Sequence, residues 1–195
     1  MSQALKEAAL RIFSDYGYEG ASLAGIADEV GLKKQSIYAH FKGKDDLFLQ
    51  VFRHSFTDEL DRLRRELQHS GCLSLHDCLY GILQSYIVTY QSERRLKFCL
   101  RVSFYPPPHL YEEIDRYTGE HLQQIHELFL ERFREAARAG DIGQRDPETA
   151  NLAFMALVDA ICIELVYSDK EKAERRMEAA WSIFWDGLRA IPTTE

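Results

Sequence analysis

The sequence predicts an all-α protein: an N-terminal three-helix helix-turn-helix domain followed by a larger helical domain, about nine helices in all. Three observations predict it. Apolar residues recur at three- and four-residue spacing along most of the chain, and no stretch sustains the period-two alternation of a half-buried strand. Residues 22–47, SLAGIADEVGLKKQSIYAHFKGKDDL, read as two short helices joined by a glycine-centred turn and followed by a basic loop.

The first helix, expected over about 2–16, carries Leu5, Ala8, Ala9, Ile12 and Phe13 on one face and stops at Gly17, with Phe13 closing a small core. Ser22 opens the second as an N-cap whose oxygen accepts from a first-turn amide, and Leu23, Ile26, Ala27 and Val30 follow at i, i+3, i+4 and i+7. Gly31 is free to take the left-handed backbone that ends a helix, and Leu32 plugs the corner. A third helix starts near Lys33. Ile37 and Phe41 face inward, and Lys33, Lys34, Gln35, Ser36 and Tyr38 crowd its outer first turns, where a helix lying in the major groove presents side chains to base edges.

Lys44-Asp45-Asp46 begins a fourth helix with acids where the dipole favours them. Leu47, Phe48, Val51, Phe52, Phe56, Leu60, Leu63 and Leu67 carry its stripe far enough to leave the first domain and enter the second as a rigid lever. Breaks at Ser70-Gly71, Ser92-Glu93, Pro106-Pro107-Pro108, 140–147 and Ser168-Asp169 separate five further segments: 75–91, 94–105, 109–139, 147–167 and 170–190. The expected domains are 1–46 for DNA binding and 47–195 for effector binding and dimerisation.

Formal net charge is -7, yet residues 33–44 hold Lys33, Lys34, Lys42, Lys44 and His40 with no carboxylate. A chain that repels DNA on average still binds it through one positive face, because phosphate contacts release condensed counterions locally. Lysines in a loop are often only a solvated surface; the helix-turn-helix frame around these favours DNA.

Ser22, Ile26-Ala27, Gly31-Leu32, Ile37-Tyr38, His40-Phe41, Lys44 and Leu47, in that order and spacing, resemble the N-terminal pattern of the TetR family of bacterial transcriptional repressors. The resemblance covers roughly residues 4–50; beyond them only length, helix count and layout are similar. It implies that Ser22, Tyr38, His40 and Lys44 clamp phosphates while Lys33, Lys34, Gln35 and Ser36 read bases of double-stranded DNA. It also implies a homodimer on a pseudo-palindromic operator, with repression as the default sign and release by a small-molecule effector. One departure stands out: Lys33 occupies the place of the family's capping Ser or Thr. Lysine accepts no hydrogen bond and its charge opposes the helix dipole, at a cost of roughly 1 kcal/mol, so the third helix is expected to start late or fray until DNA orders it.

Residues 150–167 are apolar nearly all round, and Met177, Trp181, Phe184, Leu188 and Ile191 repeat at three-four spacing. Phe154, Leu157, Ile161 and Leu165 with Met177, Trp181, Phe184 and Leu188 are therefore the expected dimer seam, packed as a four-helix bundle; the competing reading is a monomer core. Tyr86, Tyr90, Phe98, Tyr105, Tyr117 and Phe154, with Asp159, are candidates for an effector site taking a small hydrophobic or cationic molecule, although core packing would use the same residues. Asp159 and Glu164 are polar exceptions on an apolar helix, each expected to pair with an arginine across the seam or to face a cavity.

His69, Cys72, His76 and Cys78 are zinc-compatible donors whose spacing fits no standard site, and His121 and His126 fall five apart rather than four. No metal or cofactor is expected; a metal or redox sensor, or a helical dimeric adaptor, is the alternative function. An adaptor leaves the basic turn unexplained. No nucleophile elbow, phosphate-binding glycine loop or dinucleotide fingerprint appears, so catalysis is not expected. With no signal peptide and no apolar run of 18 or more, the expected location is the cytoplasm, away from membrane.

Overall fold

The computed structural model describes residues 2–69 and 74–189. Among them are nine α-helices and no strand: α1 Ser2–Gly20, α2 Leu23–Glu29, α3 Lys34–Ile37, α4 Lys44–His69, α5 Leu75–Ser92, α6 Arg94–Phe104, α7 Tyr111–Ala139, α8 Pro147–Tyr167 and α9 Lys170–Arg189, with a 3-10 turn at Pro108–Leu110. Helix order and approximate limits follow the apolar spacing. Helical geometry breaks at Gly17, which takes φ 71°, where the spacing ends the first helix; the Ser2–Gly20 span joins that helix to a short second stretch across the kink.

The chain divides into two compact units, Met1–Glu59 with Ser92–Gly119, and Leu60–Gln91 with Glu120–Glu195. The boundary expected at 46/47 thus falls inside the first unit. The reason is burial. Leu5, Phe13, Ile26, Ile37, Phe41, Phe48 and Phe52 from α1–α4 share one core with Phe98, Cys99 and Val102 of α6 and with Leu110 and Ile114. Three short helices enclose too little volume to cover their own apolar faces, so a segment distant in sequence completes the core. Phe48 sits at its centre, edge-on to Phe13 at 4.8 Å and to Phe98 at 5.6 Å between ring centroids.

In the second unit Phe154 meets Phe129 at 5.1 Å and Phe133 at 6.0 Å. The start of α8 is fixed by Asp146, whose side chain accepts from the Thr149 amide at 2.8 Å, with Pro147 at a first-turn position where its missing N–H costs nothing. α8 is long and apolar enough, by length and composition, to cross a membrane, which corrects the expectation that no such run exists. A core helix has the same composition: Ala150, Asn151, Phe154, Leu157, Val158, Ile161, Cys162 and Leu165 are all buried here.

That burial also corrects the expected dimer seam. Phe154, Leu157, Ile161, Leu165, Met177, Trp181 and Leu188 are covered within one subunit, and Phe184 is half-buried. The most apolar faces of α8 and α9 are satisfied by their own chain, leaving the opposite faces outward: Leu152, Ala156, Ala160, Ile163 and Tyr167 on α8, Ala179, Ala180 and Ile183 on α9. Ile191 lies outside the described residues.

Candidate nucleic-acid interface

The turn between α2 and α3 is built from local hydrogen bonds. The Ser22 hydroxyl oxygen accepts from the Gly25 amide at 3.1 Å, as an N-cap should. At the far end Gly31 takes φ 69° and the Leu32 amide donates to the Ala27 carbonyl at 2.9 Å, closing the last turn of α2. Ile37 and Phe41 then anchor the next segment in the core. Lys33 is the N-cap of α3 and makes no side-chain cap bond; the helix begins at Lys34 and lasts one turn, with Tyr38 to His40 continuing as a turn in which the amides of His40 and Phe41 both donate to the Ile37 carbonyl at 2.9 Å. A late start is what an uncapped lysine implies.

With Ile37 and Phe41 inward, Lys33, Lys34, Gln35, Tyr38 and His40 project into solvent and Ser36 is half-exposed. Beyond them Lys44 opens α4, half-buried, its Nζ 4.2 Å from the centroid of the Tyr18 ring. The two acids that follow the basic segment are already engaged. Asp46 accepts from Gln50 Nε2 at 3.0 Å and from the Lys42 amide at 2.7 Å, and these bonds hold its carboxyl below the usual range. Asp45 accepts from the Tyr18 hydroxyl and lies 3.4 Å from His109 Nε2; it too is held low, chiefly by Tyr18, while desolvation and Asp45 push the Tyr18 hydroxyl well above its ordinary value. Both carboxylates stay ionised, with hydrogen bonds from Tyr18, Gln50 and the Lys42 amide as the chief causes and the charges of Lys44 and Lys42 as lesser ones.

Sequence reasoning missed the part α6 plays in this unit. Arg94 Nη1 donates to both oxygens of Asp15 at 2.7 and 2.8 Å, Arg95 reaches Glu7 at 2.8 Å and also Asp58, and Arg101 Nη1 donates to the Ser14 carbonyl at 3.2 Å. The only available signal was three arginines in a segment whose apolar residues have no evident partner.

The expected effector residues do not gather. Phe98 belongs to the core of the first unit, where Tyr117 packs on Phe52 and Phe56 at 5.9 and 6.0 Å. Tyr105 is 59% exposed, and Tyr90 is half-buried. Tyr86 is buried in the second unit with the Arg62 guanidinium 5.3 Å from its ring, Phe154 is core, and Asp159 stands on the outward side of α8, where desolvation by its apolar neighbours raises its carboxyl above the usual range. Aromatics at helical spacing pack wherever their helix faces a core, and these face different ones. Concave surface in the second unit lies elsewhere: a groove of about 610 Å³ lined by Arg64, Leu67, Gln124, Glu127, Leu128 and Arg132, and one of about 510 Å³ between α8 and α9 lined by Ala160, Ile163, Glu164, Arg176 and Ala180. Glu164 pairs with Arg176 of its own subunit rather than across a seam, leaving Oε2 buried and without a partner.

Of the four zinc-compatible residues, Cys72 lies outside the described residues. His69 Nδ1 is 2.7 Å from the Arg65 carbonyl, His76 Nε2 accepts from Trp181 Nε1 at 3.2 Å, and Cys78 is a buried free cysteine; among the described residues no group of three or more such donors gathers. His121 is buried in the second unit, where desolvation and then Arg64 depress its pKa to about 4. His126, five residues on, receives the Asn151 amide at 3.1 Å and lies 3.1 Å from Glu148.

Residues 5–51 match the model of a family described as bacterial regulatory proteins, tetR family. Over 180 residues, 90% of this chain and 91% of the relative, the sequence is 26% identical to YezE, an uncharacterised HTH-type transcriptional regulator of Bacillus subtilis. Over 125 residues, 64% of this chain and 63% of the relative, it is 30% identical to IcaR of Staphylococcus epidermidis, the negative transcriptional regulator of the biofilm operon icaADBC. The fold is similar to that of a TetR-family transcriptional regulator from Mesorhizobium loti, with TM-score 0.77, 22% identity and 94% of each chain covered. It is also similar to FadR of Bacillus subtilis, solved in complex with stearoyl-CoA, with TM-score 0.72, 15% identity and 96% of this chain and 99% of that one covered.

Proposed function

The chain belongs to the tetR family of bacterial regulatory proteins and is a DNA-binding transcriptional regulator, and from that premise we propose that it is an effector-released repressor that binds a pseudo-palindromic operator as a homodimer. The observation that carries the reading is the outward row of Lys33, Lys34 and Gln35 on a segment pinned by buried Ile37 and Phe41. Lysine donates to guanine O6 and N7, and glutamine pairs with adenine N6 and N7, so α3 lies in the major groove and reads bases there. Ser22, Tyr38, His40 and Lys44 hold phosphates on either side and fix the register.

A second copy covers the outward face of α8 and α9. Only 44% of the most apolar window of α8 is buried within one subunit, and Ile183 of α9 is 76% exposed; the alanines between these positions let two helix pairs approach closely as a four-helix bundle about a two-fold axis. Two reading heads so related fit successive major grooves, about 34 Å apart or a multiple of it.

The effector is a small, largely apolar molecule held in the second unit. The groove between α4 and α7 supports this, with Leu67 and Leu128 among charged and amide side chains, and so does the fold shared with FadR, which was solved with stearoyl-CoA. Residues of α4 belong to both units, so a shift of that helix on effector binding changes the presentation of the heads; a coupling of about 1–3 kcal/mol is enough to release DNA. The protein acts in the cytoplasm and without catalysis. Retardation of DNA from its own upstream region on a gel, lost when Lys34→Ala is combined with Tyr38→Ala, is the expected result; no retardation at low salt overturns the reading.

A further inference from the structure

We propose that Tyr18 is a positioning residue for DNA contact: its ring seats the Lys44 ammonium while its hydroxyl, together with His109, engages the Asp45 carboxylate, so that Lys44 turns to a backbone phosphate rather than into an ion pair with Asp45. The proposal rests on the reading of Lys44 as a phosphate contact.

Asp45 follows Lys44 directly and is the carboxylate best placed to pair with it. Such a pair would neutralise the contact before DNA arrived. Asp45 instead accepts from the Tyr18 hydroxyl and lies 3.4 Å from His109 Nε2. The ammonium sits 4.2 Å over the centroid of the same tyrosine ring, an attraction that orders the side chain yet yields to a phosphate oxygen more readily than an ion pair would.

Tyr18 is held firmly enough to do this. Its ring is edge-on to Phe48 at 5.2 Å, stacked beside Phe13 at 6.4 Å and tilted against the His109 ring at 5.0 Å. The left-handed turn at Gly17, φ 71°, interrupts α1 immediately before Tyr18 and sets the direction of its ring; a side chain at position 17 would be strained in that backbone. His109 arrives from the 3-10 turn between α6 and α7, within the same unit. A segment remote in sequence thus reaches the base of a DNA-contacting lysine, through residues that touch no nucleic acid themselves.

The test uses the full chain and a duplex from its own upstream region, with binding followed by fluorescence anisotropy over a salt series. Lys44→Ala should lower the slope of log K against log salt by about 0.9 for each lysine removed. Tyr18→Leu, which loses both the seat and the hydroxyl, should reproduce most of that drop, and adding Lys44→Ala to it should lower the slope no further. Tyr18→Phe and His109→Gln keep the ring and free the carboxylate, so each should give part of the drop. An unchanged slope in Lys44→Ala removes the phosphate reading and the proposal with it. A reduced slope in Lys44→Ala with full slopes in all the Tyr18 and His109 variants overturns the positioning role alone. Loss of affinity at every salt concentration without a change of slope is general loosening of the head and also counts against the proposal. Should Tyr18→Leu fail to fold, Tyr18→Phe and His109→Gln decide by the same criterion.

Discussion

Arg94 at the first position of α6 donates from one guanidinium nitrogen to both carboxylate oxygens of Asp15 on α1, at 2.7 and 2.8 Å. The bond ties the reading head to a helix that follows it by a long stretch of sequence. Both side chains are half exposed, so the ion pair orients α6 more than it stabilises the head. Phe98, on the same helix and buried against Phe13 and Phe48, does the stabilising.

Phe98→Ala is accordingly expected to cost about 3–5 kcal/mol and to lower the urea midpoint of the head, whereas Arg94→Ala should leave that midpoint nearly unmoved. Equal losses from the two variants would show that α6 is held by its charges.

Stability should depend on pH through His121. Its folded pKa is depressed to about 4 by desolvation and by Arg64, while the unfolded chain takes up the proton near 6.5. Between those values the unfolded state binds more protons, so the contribution is fully present above pH 6.5 and is lost as pH falls toward 4, by up to about 1.4 kcal/mol per pH unit. Thermal unfolding at pH 7 and pH 5 should show a fall in the native protein that His121→Leu flattens.

Lys33→Ser supplies the missing cap of α3 and should stabilise that turn by roughly 1 kcal/mol. Amide exchange in residues 34–37 of the free protein should slow. Unchanged exchange would show that packing of Ile37, not capping, decides where the helix begins.

Ile183→Glu places a charge on the outward face of α9 and should yield monomers in analytical ultracentrifugation, with weakened operator binding and an ordinary melting temperature. Trp181→Ala, on the buried face, should do the reverse, lowering the melting temperature by removing core contacts while leaving association intact. A dimer that survives Ile183→Glu with Ala160→Glu places the interface elsewhere.

The helices were legible because apolar spacing, the Ser22 cap and Gly31 act within a few residues of one another, and the turn before α3 was legible for the same reason. What could not be read was which face meets which. Phe98 and Tyr117 have the spacing of any core aromatic, and nothing local says that they complete the core around Phe13 and Phe52 rather than line a cavity. Trp181 and Ile183 lie two positions apart on opposite faces of α9, as the three-four spacing records; that the Trp181 face is covered by its own subunit rather than by a second copy is set by what packs against the helix, which periodicity does not record. Tyr18, Asp45 and His109 come together only through the tertiary fold, and no motif announced them.

The central claim is that two copies of α3 occupy major grooves of one operator. Hydroxyl-radical footprinting of the purified protein on its own upstream DNA tests it most directly. Two protected patches related by a two-fold axis, about 34 Å apart or a multiple of it, are expected, and both should vanish with Lys34→Ala and Tyr38→Ala. A single patch, or two patches untouched by those substitutions, would contradict the account.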